Sequence, residues 1–272
     1  MLKAAVLIAA TSYFAWYLER FELAMVYPFD KTYATPTEAG ETRLRETRFA
    51  TADGEELVLW QVAAIGPRPT VLYLPGNAGG LKDRVHRFSA LIDRGYGVVA
   101  LAYRGSSGSS GAPGEAELTS DARAVAQALP QGPVVLYGES LGTAVAIKLA
   151  SEGIGDVVVL EAPFTSIADL VAVQYPRDDL AHLLTQHWKS ADRISRLKQP
   201  LLIVHGRTDK IVPIEQGRIV FKAAGSRDKQ FLEVVDRGHH NLWTIDMQRT
   251  LYAFLDQRAP AVLTGASRQL AQ

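Results

Sequence analysis

Apolar positions along this chain gather into short runs separated by longer stretches where they recur every three or four residues. The runs Val71 to Leu74, Val98 to Tyr103, Pro133 to Tyr137, Asp156 to Leu160, Leu201 to Val204 and Phe231 to Val235 are largely apolar and stop at a proline, glycine or polar residue, as buried strands do. Between them, Leu81 to Arg94 carries Val85, Phe88, Leu91 and Ile92 on one helical face. Glu115 to Leu129, the stretch from Ala144 to Ser151, Glu215 to Ala224 and Leu242 to Gln257 also read as helices. Strand–helix alternation with apolar strands predicts an α/β fold, a mainly parallel central sheet with helices on both faces. Arg43 to Phe49 and Leu57 to Ala63 flank Ala52-Asp53-Gly54 and predict a hairpin that adds an antiparallel N-terminal edge. The alternation lapses between Glu161 and Leu197. There Phe164 to Pro176 and Leu180 to Trp188 suggest short amphipathic helices, forming either a small cap over the sheet or a connecting helix with a long loop.

The N-terminus breaks the pattern. Ala4 to Leu18 has no charge, follows Lys3 and ends before Glu19 and Arg20. As a helix it spans about 22 Å, short of the roughly 30 Å hydrocarbon core, and Met1, Leu2 and a snorkelling Lys3 extend it. No convincing small-x-small cleavage site follows. The run is read as an uncleaved single-pass membrane anchor, with a cleaved signal and a helix packed on the domain as the alternatives; the side of the membrane is left open. The expected organisation is an anchor or signal at 1–20, a linker at 21–40, one α/β domain at 41–258 with a candidate cap at 162–198, and a flexible tail at 259–272.

Composition narrows the chemistry. The 272 residues suit one large α/β domain, and 47% apolar with 21% charged residues is ordinary for a globular protein. Formal net charge is zero with no basic tract, which argues against a nucleic-acid partner. There is no cysteine, so disulfides, thiolate metal sites and cysteine nucleophiles are excluded. No cluster of His, Asp and Glu has the spacing of a metal site, and no cofactor motif is present. Gly76 to Gly80 resembles a phosphate loop only weakly, because no Gly-Lys-Ser/Thr follows.

The candidate chemistry centres on Gly138-Glu139-Ser140-Leu141-Gly142, which ends a strand and opens a small-residue helix. This is the order of a nucleophile elbow, in which glycines admit a strained turn that raises a serine above the sheet. The alternative is a glycine-rich turn whose serine caps the helix, so an acid and a base must be found elsewhere. A serine hydroxyl needs a base to take its proton, and the base needs a partner to fix its tautomer. Asp209 lies just past the strand Leu201 to Val204, where an acid faces the crevice; a turn or N-cap aspartate is its alternative role. Past the next strand comes Gly238-His239-His240-Asn241, with His239, directly after the glycine, as the candidate base and His240 as its neighbour. His86, His182, His187 and His205 read as surface or packing residues. The expected oxyanion donors are the N–H of Leu141 and a second from the loop after Val71 to Leu74, with Asn77 its candidate.

The pieces LYLPGNAGG, ALAYRGSSGSSG, LYGESLGTAVA, EAPFTS, PLLIVHGRTDKIVP and GHHNLW follow one another from about residue 40 to 257. In this combination and order the chain resembles the α/β-hydrolase superfamily, and within it the membrane-anchored α/β-hydrolase-domain-containing serine hydrolases, relatives of lysophospholipases and protein depalmitoylases. Two departures stand out. Pro75 occupies the place of a histidine that precedes Gly-Asn in the family and supports its oxyanion loop. The family's closing Gly-His-Asn-Asp reads Gly238-His239-His240-Asn241 here, so a gapless match puts the base on His239 and a one-residue shift puts it on His240. The resemblance implies a serine hydrolase that cleaves carboxylic ester or thioester bonds through an acyl-enzyme. Its substrates would be acyl esters, lipid-like ones included, with the membrane as a partner through the N-terminal segment. A serine peptidase or amidase on the same triad, and a non-catalytic membrane-tethered binding protein, are the other expectations.

Overall fold

The computed structural model describes residues 2–175 and 181–259. Among them, one sheet is built from β1 (Arg45–Ala50), β2 (Glu56–Val62), β3 (Thr70–Leu74), β4 (Gly97–Leu101), β5 (Val134–Glu139), β6 (Val157–Glu161), β7 (Leu201–Gly206) and β8 (Lys229–Val234), in the order β1-β2-β4-β3-β5-β6-β7-β8. β1 and β2 form the predicted antiparallel hairpin, with Gly54 at φ +91° in its turn, and β2 runs antiparallel to β4. From β4 to β8 every pairing is parallel. The eight helices of the described residues are α1 (Leu2–Val26), α2 (Val85–Ile92), α3 (Glu115–Gln127), α4 (Leu141–Ser151), α5 (Ile167–Gln174), α6 (Ser190–Ile194), α7 (Ile214–Ala223) and α8 (Ile245–Arg258).

The central strands bury both faces because their side chains alternate and both sets are apolar. Leu72, Leu74, Leu136, Val158, Leu160, Leu201 and Ile203 face one core, packed with Leu118 and Val125 of α3, Val145 and Leu149 of α4 and Val220 of α7. Val71, Tyr73, Val135, Tyr137, Val159, Leu202 and Val204 face the other, against Phe88 and Leu91 of α2 and Leu251 and Phe254 of α8. The chain leaves β3 for β4 on one side and returns to β5 on the other. This reversal opens a crevice at the carboxyl ends of β3 and β5, where α/β sheets bind ligands.

Three sequence expectations need correction. The helix expected over Leu81 to Arg94 is divided: Leu81–Arg84 is a 3₁₀ turn, Arg84 sits at φ −108° and ψ 0°, and α2 begins only at Val85. The Asp83 carboxylate accepts from the Gly80 N–H at 2.7 Å, which tightens that first turn. The helix expected from Leu242 starts instead at Ile245, where the Thr244 hydroxyl accepts from the Met247 N–H and caps it. Of the helix expected over Leu180 to Trp188, Leu180 lies outside the described residues, and only Ala181–Leu183 form a 3₁₀ turn before the chain extends to Trp188. The tail expected from Ala259 onward lies, past Ala259 itself, outside the described residues.

The linker expected from residue 21 begins later, because the first helix runs on past residue 20. Among the described residues no helix is long and apolar enough to cross a membrane. The apolar run forms the first part of α1, which continues unbroken through Glu19, Arg20 and Glu22 to Val26. Its end is fastened to the domain. The Glu22 carboxylate accepts from the backbone N–H groups of Thr185 and Gln186 at 2.9 and 2.8 Å and from the Thr185 hydroxyl at 2.6 Å. Just beyond the helix, Tyr27 Oη accepts from the buried Trp188 indole at 2.9 Å and donates to Gln186 Oε1 at 2.6 Å. Trp188 itself is fully buried at φ +42°. Trp188→Ala empties this junction between α1 and the segment before α6. We expect urea unfolding to show a loss of about 3–5 kcal/mol; a loss below about 1 kcal/mol contradicts an anchoring role for the indole.

Candidate active site

The local geometry around Ser140 follows from two glycines. Ser140 sits at φ +50° and ψ −113°, a conformation that costs on the order of 1–3 kcal/mol for a residue with a Cβ. It is held there by its N–H donating to Glu161 O at 2.8 Å and by Thr143, whose N–H and hydroxyl both donate to Ser140 O. A Cβ on Gly138 would lie 2.4 Å from Gly142 O, and one on Gly142 would lie 1.9 Å from Leu74 O. Only glycine lets α4 start this close to the strand ends.

The acid and histidine loops close on each other from β7 and β8. Thr208 N–H donates to Arg237 O at 3.0 Å and Arg207 N–H to Val234 O at 3.1 Å. A Cβ at Gly206 would come within 2.4 Å of Arg237 O, so this approach too requires glycine. Asn241 Oδ1 accepts from the Gly238 N–H at 2.8 Å and turns the chain just after the histidines.

These loops bring three of the sequence candidates into one hydrogen-bonded chain. His239 Nε2 is 2.9 Å from Ser140 Oγ, and His239 Nδ1 is 2.7 Å from Asp209 Oδ2. Asp209 Oδ1 accepts from the backbone N–H groups of Ile211 and Val212, both at 2.9 Å. Burial favours the neutral carboxyl, but the hydrogen bond and charge of His239 together with those two N–H donors hold Asp209 below its ordinary pKa. An ionised Asp209 accepts from Nδ1–H, which leaves Nε2 as the acceptor for the serine hydroxyl. His240 is exposed, and its ring stands edge-on to that of His239 with centroids 5.0 Å apart. Of the surface and packing roles expected of it, His205 takes the packing one: it is fully buried beneath Asp209, 3.6 Å from Oδ2, with Nε2 bonded to Val212 O.

Leu141 opens α4, where the first N–H groups of a helix lack intrahelical acceptors. Asn77 lies across from it in the loop after β3, with its side-chain amide donating to Val26 O at the end of α1. That side chain therefore faces α1, and only the Asn77 backbone remains for a donor role. Ser140, Leu141 and Asn77 border a cavity of about 190 Å³ whose walls include Val26, Phe164, Ile167, Val171 and Ile211. Among the described residues that line it, none is charged. Met25 stands at its edge, and Tyr17, Phe21 and Met25 follow at four-residue spacing on α1, each more than half exposed. A larger cleft of about 790 Å³ beside α3 is bordered by charged side chains and touches neither Ser140 nor His239.

Sequence reasoning missed the charges behind the serine. Arg84 Nε and Nη2 bond Glu139 at 2.6 and 3.0 Å, and Tyr73 Oη donates to the same carboxylate at 2.7 Å. Arg87 makes a second fork to Glu161 at 2.5 and 2.9 Å, joined by Tyr137 Oη. The Arg87 guanidinium also lies over the Trp243 ring, steadying the stretch after the histidines. The available signal was that Arg84 and Arg87 fall on the apolar side of a predicted helix, while Glu139 and Glu161 end strands that are otherwise apolar. Burial opposes ionisation of Glu139, yet the charges of Arg84 and Arg87 and the bonds from Arg84 and Tyr73 bring its pKa down to about 2. A carboxyl lowered from 4.5 to about 2 contributes stability that is present above the ordinary value and lost as pH falls through the lowered one. The stability gap between wild type and Glu139→Gln in urea unfolding is therefore expected to be widest near neutral pH and to narrow across that interval. A gap that does not change with pH contradicts the ionised pair.

Comparison with known proteins follows the same outline. A family model described as serine aminopeptidase, S33 (Hydrolase_4) matches residues 66–193. An uncharacterized protein of Mycobacterium tuberculosis is 36% identical over 211 residues, 74% of this chain and 74% of its own. The lysophosphatidylserine lipase ABHD12 of Rattus norvegicus is 31% identical over 243 residues, covering 77% of this chain and 61% of its own. Among solved structures, an esterase of Pyrococcus furiosus superposes with a TM-score of 0.71 at 18% identity, over 86% of this chain and 97% of the esterase. Sheet order, family model and relatives agree: the chain belongs to the α/β-hydrolase superfamily and is a hydrolase by descent.

Proposed function

We propose that this protein is a serine hydrolase that cleaves carboxylic esters or thioesters with an apolar acyl group. The observation that carries the reading is the Asp209–His239–Ser140 hydrogen-bonded chain ending at an uncharged, apolar cavity. In this mechanism Ser140 Oγ attacks the acyl carbonyl while His239 Nε2 takes the hydroxyl proton. Asp209 holds the imidazole in the tautomer that accepts at Nε2 and stabilises the imidazolium that forms. The tetrahedral oxyanion faces the backbone N–H groups of Leu141 and Asn77. As it collapses, the carbon–oxygen or carbon–sulfur bond to the leaving group breaks, and the alcohol or thiol departs with the proton from His239. Water, deprotonated by His239, then attacks the acyl-Ser140 ester. The acid leaves and the serine regains its proton.

A lipid-like ester is supported by the exposed Tyr17–Phe21–Met25 stripe that leads to the cavity edge, and by the lipase named among the relatives. The description of the family model favours a second reading, an aminopeptidase. Such an enzyme needs a carboxylate to hold the substrate's α-ammonium, and the described cavity lining offers none. The ester reading is therefore the stronger.

A series of p-nitrophenyl acyl esters set against aminoacyl anilides separates the two. We expect kcat/KM on the esters to rise about three- to fourfold per added methylene while the chain fills the cavity, which corresponds to about 0.8 kcal/mol per buried CH₂. Anilide turnover above ester turnover supports the peptidase instead. Ser140→Ala and His239→Ala are each expected to lower kcat by about 10⁴- to 10⁶-fold, with Ser140→Ala also abolishing fluorophosphonate labelling. Retained turnover and labelling in Ser140→Ala exclude this mechanism.

A further inference from the structure

The loop from Gly76 to Gly80 is one wall of the site, and its sequence leaves it free to wander. Three of its five residues are glycine, and Pro75 before it has neither an N–H nor a polar side chain. Yet its placement against the serine is close: a Cβ on Gly76 would lie 3.2 Å from Ser140 Cβ. Something other than the loop's own backbone must set that distance.

Arg84 does so from behind. Its Nη2 donates to Ala78 O at 2.9 Å and its Nη1 to Gly80 O at 3.0 Å, so one edge of the guanidinium holds the loop. Its Nε and Nη2 also fork onto Glu139, the residue joined by a single peptide bond to Ser140. The side chain is buried, and the planar ion thus bridges the strand ends of β3 and β5. Asp83 secures the base of the grip by accepting from Gly80 N–H.

We propose that Arg84 is a positioning residue for the oxyanion site: by gripping Glu139 with one edge and the Ala78 and Gly80 carbonyls with the other, it sets the spacing between the Asn77 and Leu141 N–H donors. This rests on the assignment of Ser140 as nucleophile. Donors of this kind act only when held within about 0.5 Å of the developing charge, and they act on the transition state more than on the ground state. The guanidinium touches neither the cavity nor the serine hydroxyl, so its loss is expected to leave substrate binding largely intact.

The test compares Arg84→Gln, Arg84→Lys and Glu139→Gln with wild type on one acyl ester and on a trifluoromethyl-ketone analogue, whose addition to Ser140 places an oxyanion between the donors. Losing one oxyanion donor costs about 10²–10³ in kcat, and we expect Arg84→Gln to approach about a hundredfold loss with KM within about twofold. Affinity for the ketone is expected to fall in parallel. Lysine keeps the charge but not the fork, so Arg84→Lys is expected to resemble Arg84→Gln, and added guanidinium ion is expected to restore part of kcat to Arg84→Gly where methylammonium does not. Should Arg84 variants fail to fold, the isosteric Glu139→Gln carries the test, with an expected loss of about tenfold in kcat and in ketone affinity. Unchanged kcat in a folded variant, a change in KM alone, or full rescue by lysine overturns the proposal. If Ser140→Ala is inactive while Arg84→Gln is not, the clamp alone falls; an active Ser140→Ala removes the assignment on which it rests.

Discussion

The site depends on how closely α4 begins to the end of β3. The pairing of β3 with β5 sets Leu74 opposite Gly138, and from there the chain must turn into a helix within two residues. With Gly142 pressed on the Leu74 carbonyl, the helix start, the strained serine and the loop after β3 share one small volume. Any side chain at position 142 would push these apart and, with them, the N–H of Leu141 from the loop holding Asn77. The strain at Ser140 is sustained because the contacts around it are rigid: Glu161 and Thr143 hold its backbone, and both flanking glycines are in van der Waals confinement.

Two buried arginines stand directly behind that point. Placing two arginine–carboxylate pairs next to one another away from solvent is costly unless each group is fully bonded. Here both guanidinium groups make forked bonds to carboxylates, and Tyr73 and Tyr137 supply further donors to the same acids. Such a network contributes little through net attraction and much through geometry, since each group has one satisfactory arrangement. It ties the backs of β5 and β6 to α2 and to the turn before it, while the face toward the cavity remains apolar and uncharged. Charge on one side of Ser140 and hydrocarbon on the other suit chemistry that must order polar groups yet admit an apolar chain.

Much of this was legible along the chain, for local reasons. The β–α alternation, the hairpin at Ala52-Asp53-Gly54 and the elbow each depend on a few neighbouring residues, and Asp209 and His239 each follow a recognisable strand. The helix over Leu81 to Arg94 was legible as a helix but not as a divided one, since the break falls at Arg84, whose side chain bonds a residue of a distant strand. The end of the N-terminal helix was not legible for a related reason. Hydropathy registers Ala4 to Leu18 but not the contacts of Glu22 and Tyr27 with residues more than 150 positions later.

The sequence by itself determined the parallel sheet, the elbow and the order serine, acid, histidine, since strand length, glycine placement and apolar periodicity are properties of the local chain. Only the tertiary structure decided which histidine reaches Ser140, that His205 is buried beneath Asp209, that the Asn77 side chain turns to α1, and that Arg84 and Glu139 meet. Those outcomes depend on distances between loops at the ends of separate strands. Such distances are set by the sheet's twist and by how closely glycine lets backbones approach, neither of which a residue pattern encodes.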